Sequence, residues 1–115
     1  MKRFPSIKSN MDFQYAYHHG RSSASGEMVV YCVKNGMNIN RIGISCSKKV
    51  GNSVIRHRMA RVFREIFRLN SNNVIKGVDI VVVIRKKSCL KTFSELEKVY
   101  CSLLGKNHVL IEKPE

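Results

Sequence analysis

Arg41 to Leu69 reads RIGISCSKKVGNSVIRHRMARVFREIFRL, and the spacing of its apolar residues changes once along the way. Up to Cys46 it alternates, placing Ile42, Ile44 and Cys46 on one side, which is the period of a strand. Ser47–Asn52 (SKKVGN) is a basic turn. From Ser53 the period becomes helical. Ile55, Met59, Val62, Ile66 and Leu69 fall on one side, with Val54, Phe63 and Phe67 extending it. His57, Arg61, Arg64 and Arg68 stand at i, i+4, i+7 and i+11 and form a stripe on the far side. Arg58 lies beside that stripe and Arg56 on its other flank. Strand, turn and amphipathic helix in succession predict an α+β domain with this helix packed against a sheet.

The stripe is a costly arrangement for a solvated face. Like charges at i, i+4 destabilise a helix, and Glu65 is the one acid between Arg41 and Asn70. The guanidinium fork matches phosphate oxygens two at a time, which an ammonium does not. Lys48, Lys49 and Asn52 lead into the helix N-terminus, whose free N–H groups favour an anion. Lys48, Lys49, Asn52, Arg56, His57, Arg58, Arg61, Arg64 and Arg68 are therefore the expected nucleic-acid contacts.

The rest of the chain agrees with this bias. It has 115 residues, 21 Lys+Arg against 8 Asp+Glu, and a net charge of +13. That length predicts one domain over residues 1–115, and that charge predicts a polyanionic partner. No apolar run is long enough to span a bilayer, and the first residues lack an apolar export segment, so no membrane partner and a cytoplasmic address are expected. Cys32, Cys46, Cys89 and Cys101 include no Cys-x-x-Cys pair and read as reduced, mostly buried thiols. His18 and His19 are adjacent and diverge on a helix, so no metal site is expected. No cluster of acid, base and nucleophile is present to serve as a catalytic centre.

Outward from the deciding stretch, residues 1–9 read as a flexible basic arm and 110–115 as a tail. Asn10–Tyr17 reads as a short helix capped by Asn10, with Phe13 and Tyr17 on one face. Gly20–Gly26 reads as a loop and Glu27–Lys34 as a strand. Asn35-Gly36 signals a hairpin that pairs Asn40–Cys46 back onto that strand. Asn70–Gly77 is a polar loop, Val78–Ile84 a buried central strand, and Phe93–Leu104 a helix with Phe93, Leu96, Val99, Tyr100 and Leu103 on one face. The expected order is helix-strand-strand-helix-strand-helix, with room for one extra short strand.

A helix-turn-helix DNA reader needs a helix just before its recognition helix, and here a strand and a turn stand there, so no DNA is expected. Aromatic residues beside a basic helix fit unpaired RNA bases, with Phe13, Tyr17 and Tyr31 as candidate stacking surfaces.

The segment from Arg41 to Arg68 resembles the signature of the protein subunit of bacterial ribonuclease P: a strand ending in Ser-x-Ser-Lys-Lys, a glycine, then a helix opening with Arg-Asn-Arg and continuing Lys-Arg-x-x-Arg. Two positions depart from it. His57 stands in place of the asparagine, and Ala60 in place of the lysine. The resemblance implies a small α/β sandwich with a left-handed β-α-β crossover. It implies a catalytic RNA as partner, which carries the Mg²⁺ of the reaction, so that the protein binds no cofactor itself. It implies precursor tRNA as the substrate, whose 5′ leader would lie in a cleft formed by Phe13, Tyr17, Tyr31 and Ser45 and bordered by Arg56 and Arg64. A general RNA-binding or ribosome-associated protein without a leader cleft is the alternative reading of the same residues.

Overall fold

The computed structural model describes residues 5–111. In chain order the elements are α1 (Asn10–His19), β1 (Arg21–Ala24), β2 (Met28–Lys34), β3 (Arg41–Ser45), α2 (Ser53–Asn70), β4 (Val78–Ile84) and α3 (Phe93–Lys106). Short 3₁₀ turns at Ser71–Asn73 and Lys86–Leu90 flank β4. The strands form one sheet in the order β1-β2-β4-β3. β1 with β2 and β2 with β4 are antiparallel, while β3 with β4 is parallel. α2 is thus the crossover between two parallel neighbours.

β4 takes a central place because it is apolar on both faces, as expected for Val78–Ile84. One sheet face presents Met28, Val30, Ile42, Ile80 and Val82 to α2 and α3. α2 buries Met59, Phe63, Ile66 and Phe67 there, and α3 buries Leu96, Tyr100, Leu103 and Leu104. Phe63 is fully buried, so its truncation to alanine costs about 3–5 kcal/mol. The opposite face buries Val81 under Ala16 of α1 and Ile7, with Phe13, Tyr17 and Tyr31 half-covered around them. The result is three layers: α1, the sheet, then α2 with α3.

Several expectations change. Asn35-Gly36 does not make a hairpin between β2 and β3, since β4 lies between them. Gly36 does take a positive φ of 71°, but the Asn35 side chain accepts from the Met37 N–H (2.8 Å) and donates to Asp79 of β4 (2.8 Å). The turn therefore carries the chain over the end of β4 rather than folding it back. The segment Gly20–Gly26 is not all loop: Arg21–Ala24 forms β1, the extra short strand. α1 is capped by Ser9, whose Oγ accepts from the Met11 N–H (3.1 Å), so Asn10 is the first helical residue and not the cap. The helix also runs on to His19.

The arm is anchored in its described part. Ser6 bridges Ile42, the Ile7 N–H donates to the Ile42 carbonyl (2.8 Å), and Ile7 is buried. This covers part of the β3 edge, which would otherwise offer unpaired backbone groups. Leu110 of the expected tail likewise bridges Val74, and the Ile111 N–H donates to Asn73. The rest of the arm and of the tail lies outside the described residues. Val54 is 75% exposed and Leu69 50%, so these two do not join the core face of α2. Phe93, at the start of α3, is also exposed. The cysteines are free, but Cys32 alone is buried, and the other three are half-buried. Among the described residues no helix is long and apolar enough to cross a membrane.

Candidate nucleic-acid interface

α2 begins where Asn52 caps it, its Oδ1 accepting from the Ile55 N–H at 3.0 Å. That bond fixes the start of the helix and occupies the oxygen of one expected contact residue, which is itself exposed. Lys48 and Lys49, in the turn just ahead, are exposed. So are His57, Arg58, Arg61, Arg64 and Arg68 along the helix. Buried Met59, Phe63 and Ile66 on the opposite side hold this face toward solvent.

The cations of this ridge differ in what they face. Arg68 is tied to Glu65 one turn back, with its Nε donating to Oε1 (3.1 Å) and Oε2 (3.0 Å) and Nη2 to Oε1. The bond from Arg68 holds the Glu65 carboxyl below the usual carboxylate range. Arg41, one of the basic residues of the deciding stretch, is spent inside the fold. Its Nε and Nη2 donate to buried Asp79 at 2.8 and 2.6 Å, and its Nη1 lies 3.4 Å from Asp12 of α1. By contrast, among the described residues no carboxylate pairs with Lys48, Lys49, Arg56, Arg58, Arg61 or Arg64. Arg56 is half-buried, and its Nε is shielded from solvent with no acceptor in the protein. A buried charged donor without a partner is expensive unless an external anion completes it. Arg56 borders a groove of about 250 Å³ between α2 and the end of β3, lined also by Ile44, Cys46, Ser53, Ala60 and Arg64 among others.

The second element is the aromatic cluster on the opposite sheet face. Tyr17 and Tyr31 meet edge to face with centroids 5.0 Å apart, and Phe13 lies 6.4 Å from Tyr17. Phe13 rests on Gly43 of β3: a Cβ there would lie 3.0 Å from two of its ring carbons. A larger residue there would make the ring give by a few tenths of an ångström, so glycine lets α1 sit this low on the sheet. The register then sets what lies beside the helix. Ser45 pairs with Val83, and Val83 with Val29, so these three share one row on this face. All three are half-buried, next to the row of Gly43, Val81 and Tyr31. The trough is this half-buried strip of sheet beside α1.

The structure thus brings Phe13, Tyr17, Tyr31 and Ser45 to one face, and the expected cations, Arg68 apart, to one uncompensated ridge. Val29 and Val83 were missed by sequence reasoning, because cross-strand neighbours follow from register. β3 joins the two regions: Ser45 faces the trough, while Ile44 and Cys46 face the α2 groove. Among the described residues no cluster of three or more His, Cys, Asp or Glu side chains is arranged to hold a metal.

Comparison with known proteins places this geometry. The family model described as Ribonuclease P matches residues 1–108. The ribonuclease P protein component of Lachnoclostridium phytofermentans is 44% identical over 110 residues, covering 96% of this chain and 94% of that one. That of Clostridium novyi is 42% identical over 106 residues, covering 90% and 94%. Among solved structures, the Staphylococcus aureus RNase P protein superposes with a TM-score of 0.84 at 33% identity, covering 95% of this chain and 100% of that one. The Thermotoga maritima RNase P protein gives 0.80 at 33% identity, covering 94% and 98%. With the sheet order, the cationic helix and a match along nearly its whole length, the chain belongs to the ribonuclease P protein family.

Proposed function

We propose that this chain grips the ribonuclease P RNA with the α2 ridge and holds the 5′ leader of precursor tRNA in the trough between α1 and the sheet. The RNA performs the cleavage and carries its Mg²⁺, and the complex works in the cytoplasm. Lys48, Lys49, Arg58 and Arg61 take the catalytic RNA, with Asn52 and His57 at the margins of that contact and Arg68 beside it, occupied by Glu65. Phe13, Tyr17, Tyr31 and Ser45, bordered by Arg56 and Arg64, take the leader. The observation that carries this reading is the uncompensated ridge: Lys48, Lys49, Arg58, Arg61 and Arg64 are exposed and Arg56 half-buried, none pairs with a carboxylate among the described residues, and Arg56 has a buried N–H without an acceptor.

The mechanism follows from charge and placement. Two dense polyanions repel, and a +13 domain between them lowers that cost. Unpaired bases stack on aromatic rings, which suits a leader of variable sequence. Fixing the strand beside the scissile phosphate makes the reaction effectively unimolecular. The test is precursor cleavage by the cognate RNA at low Mg²⁺, with and without the chain, together with Tyr17→Ala. The expected result is stimulation by the wild-type protein, and a Tyr17→Ala loss confined to precursor tRNA. Equal losses for precursor and mature tRNA would remove the trough from leader binding.

A further inference from the structure

On the flank of α2 away from β3 lies a groove of about 650 Å³ between this helix and the start of α3. Val54, Val62 and Phe93 give it an apolar floor, and His57, Arg58 and Arg61 stand at its rim. Val54, Arg58, Arg61 and Glu65 fall at i, i+4, i+7 and i+11, so they form one outward line. Val54 on that line and Phe93 across from it on α3 are both exposed, although the rest of the line is charged. Exposed apolar groups set among cations are unexplained by the core, which closes beneath them at Met59 and Leu96. The single acid at the groove, Glu65, is turned to Arg68.

We propose that this groove takes one unpaired base of the RNA partner, with Phe93 as its stacking surface and Arg58 and Arg61 on the flanking phosphates. The proposal rests on the reading that α2 faces RNA, and names a contact that the signature motif does not contain. The rim decides the class of occupant. Three basic groups and, among the described residues, no free carboxylate repel a second copy of this +13 chain, whereas a nucleotide brings a flat apolar face and a negative charge together. The helix flank facing β3 offers Arg56 and Arg64 instead, so the ridge has a phosphate-binding groove on one side and a base-binding groove on the other.

The experiment is equilibrium binding of the full chain to a transcript of its cognate ribonuclease P RNA, over a range of salt, with thermal melting of every variant. Phe93→Ala is expected to weaken binding about tenfold, within the range for loss of one stacked base, without altering the salt slope. Phe93→Tyr retains affinity and Phe93→Leu does not, because the ring face and not the bulk is used. Leu90→Ala, which alters an exposed apolar residue outside the groove, changes nothing. A p-benzoylphenylalanine at position 93 crosslinks to an unpaired nucleotide. Phe93→Ala within twofold of wild type while Arg61→Ala weakens binding would overturn the groove and leave the α2 reading intact. Loss of effect for both would overturn the α2 reading itself. Full affinity for Phe93→Leu, a crosslink confined to duplex, or a Phe93→Ala change in self-association by sedimentation would each overturn the base site.

Discussion

Removing an acid should make this protein bind RNA more tightly. Six cations on or beside α2 have no carboxylate among the described residues, whereas Arg68 is held by Glu65. If each of the four free cations assigned to the catalytic RNA (Lys48, Lys49, Arg58 and Arg61) neutralises one phosphate, the slope of log K against log salt is about −3, at roughly 0.7 per contact on the single-strand scale. Arg68 is left out of that sum. Glu65→Gln frees it, so the slope should steepen by about 0.7. Between 50 and 200 mM salt the loss of affinity then grows by roughly 2.5-fold, and low-salt affinity rises in step. The fold should barely notice, because the pair is exposed and such pairs contribute little. Lowering the pH is no substitute near neutrality, since Arg68 holds the Glu65 carboxyl below its ordinary range. The assay is filter binding to the cognate RNA across salt for wild type, Glu65→Gln, Arg61→Ala and Arg68→Ala. Arg61→Ala should flatten the slope by about 0.7, and Arg68→Ala should leave it unchanged. Equal flattening by both arginine variants, with Glu65→Gln inert, would refute the division into free and occupied cations.

Other residues make separate predictions. The Tyr100 hydroxyl is buried without a hydrogen-bond partner, and burial pushes its phenol well above the usual range. Tyr100→Phe should therefore stabilise the fold by about 1 kcal/mol, raising Tm by about 4 °C, and a lowered Tm would mean the hydroxyl is bonded after all. Gly43→Ala would set a Cβ 3.0 Å from the Phe13 ring and 3.1 Å from Ile7, so it should cost about 1–3 kcal/mol in denaturant unfolding and shift the Tyr17 and Tyr31 NMR signals. Unchanged signals would show that α1 does not depend on that contact. Glu95 accepts from the Thr92 N–H in the capping box of α3, which holds its carboxyl below its ordinary value of 4.5. Its contribution is complete at neutral pH and fades as pH falls from about 4.5 through the depressed folded value, so Glu95→Gln should flatten the acid limb of the stability curve. Burial pushes the Cys32 thiol up to about 11, and at pH 8 it should be the last of the four to react with a disulfide reagent; early labelling would contradict its burial.

α2 and β4 were legible in the sequence because each is decided by its own residues: a helical period with an arginine back, and an unbroken apolar run. β1 was not. Arg21-Ser22-Ser23-Ala24 has no strand propensity, and it is a strand because β2 offers an edge and Ser23 bonds Asn107 of the α3 C-cap at 2.6 Å. The Asn35-Gly36 signal was real as a bend and misleading as a pairing, since β4 competes for the same edge of β2 from 44 residues away. At the site, the ridge could be read from spacing alone, and the partnership of Arg68 with Glu65 follows from i, i+3 geometry. Asp79, 38 residues along from Arg41, gives no local sign that it will take that guanidinium. The trough was half visible: its rings are marked by residue type, whereas Val29 and Val83 join them through register.

β3 is one short edge strand with a different neighbour for each of its faces. Because successive residues point to opposite sides, Ser45 looks into the trough while Ile44 and Cys46 look toward α2. Asp79 clamps the same strand through Arg41, and the chain before α1 runs along its outer rim. The two surfaces are therefore rigidly spaced, like the jaws of a fixed gauge. A strand held in one jaw would stand at a set distance from whatever the other jaw holds, and a backbone shift in β3 would move both together.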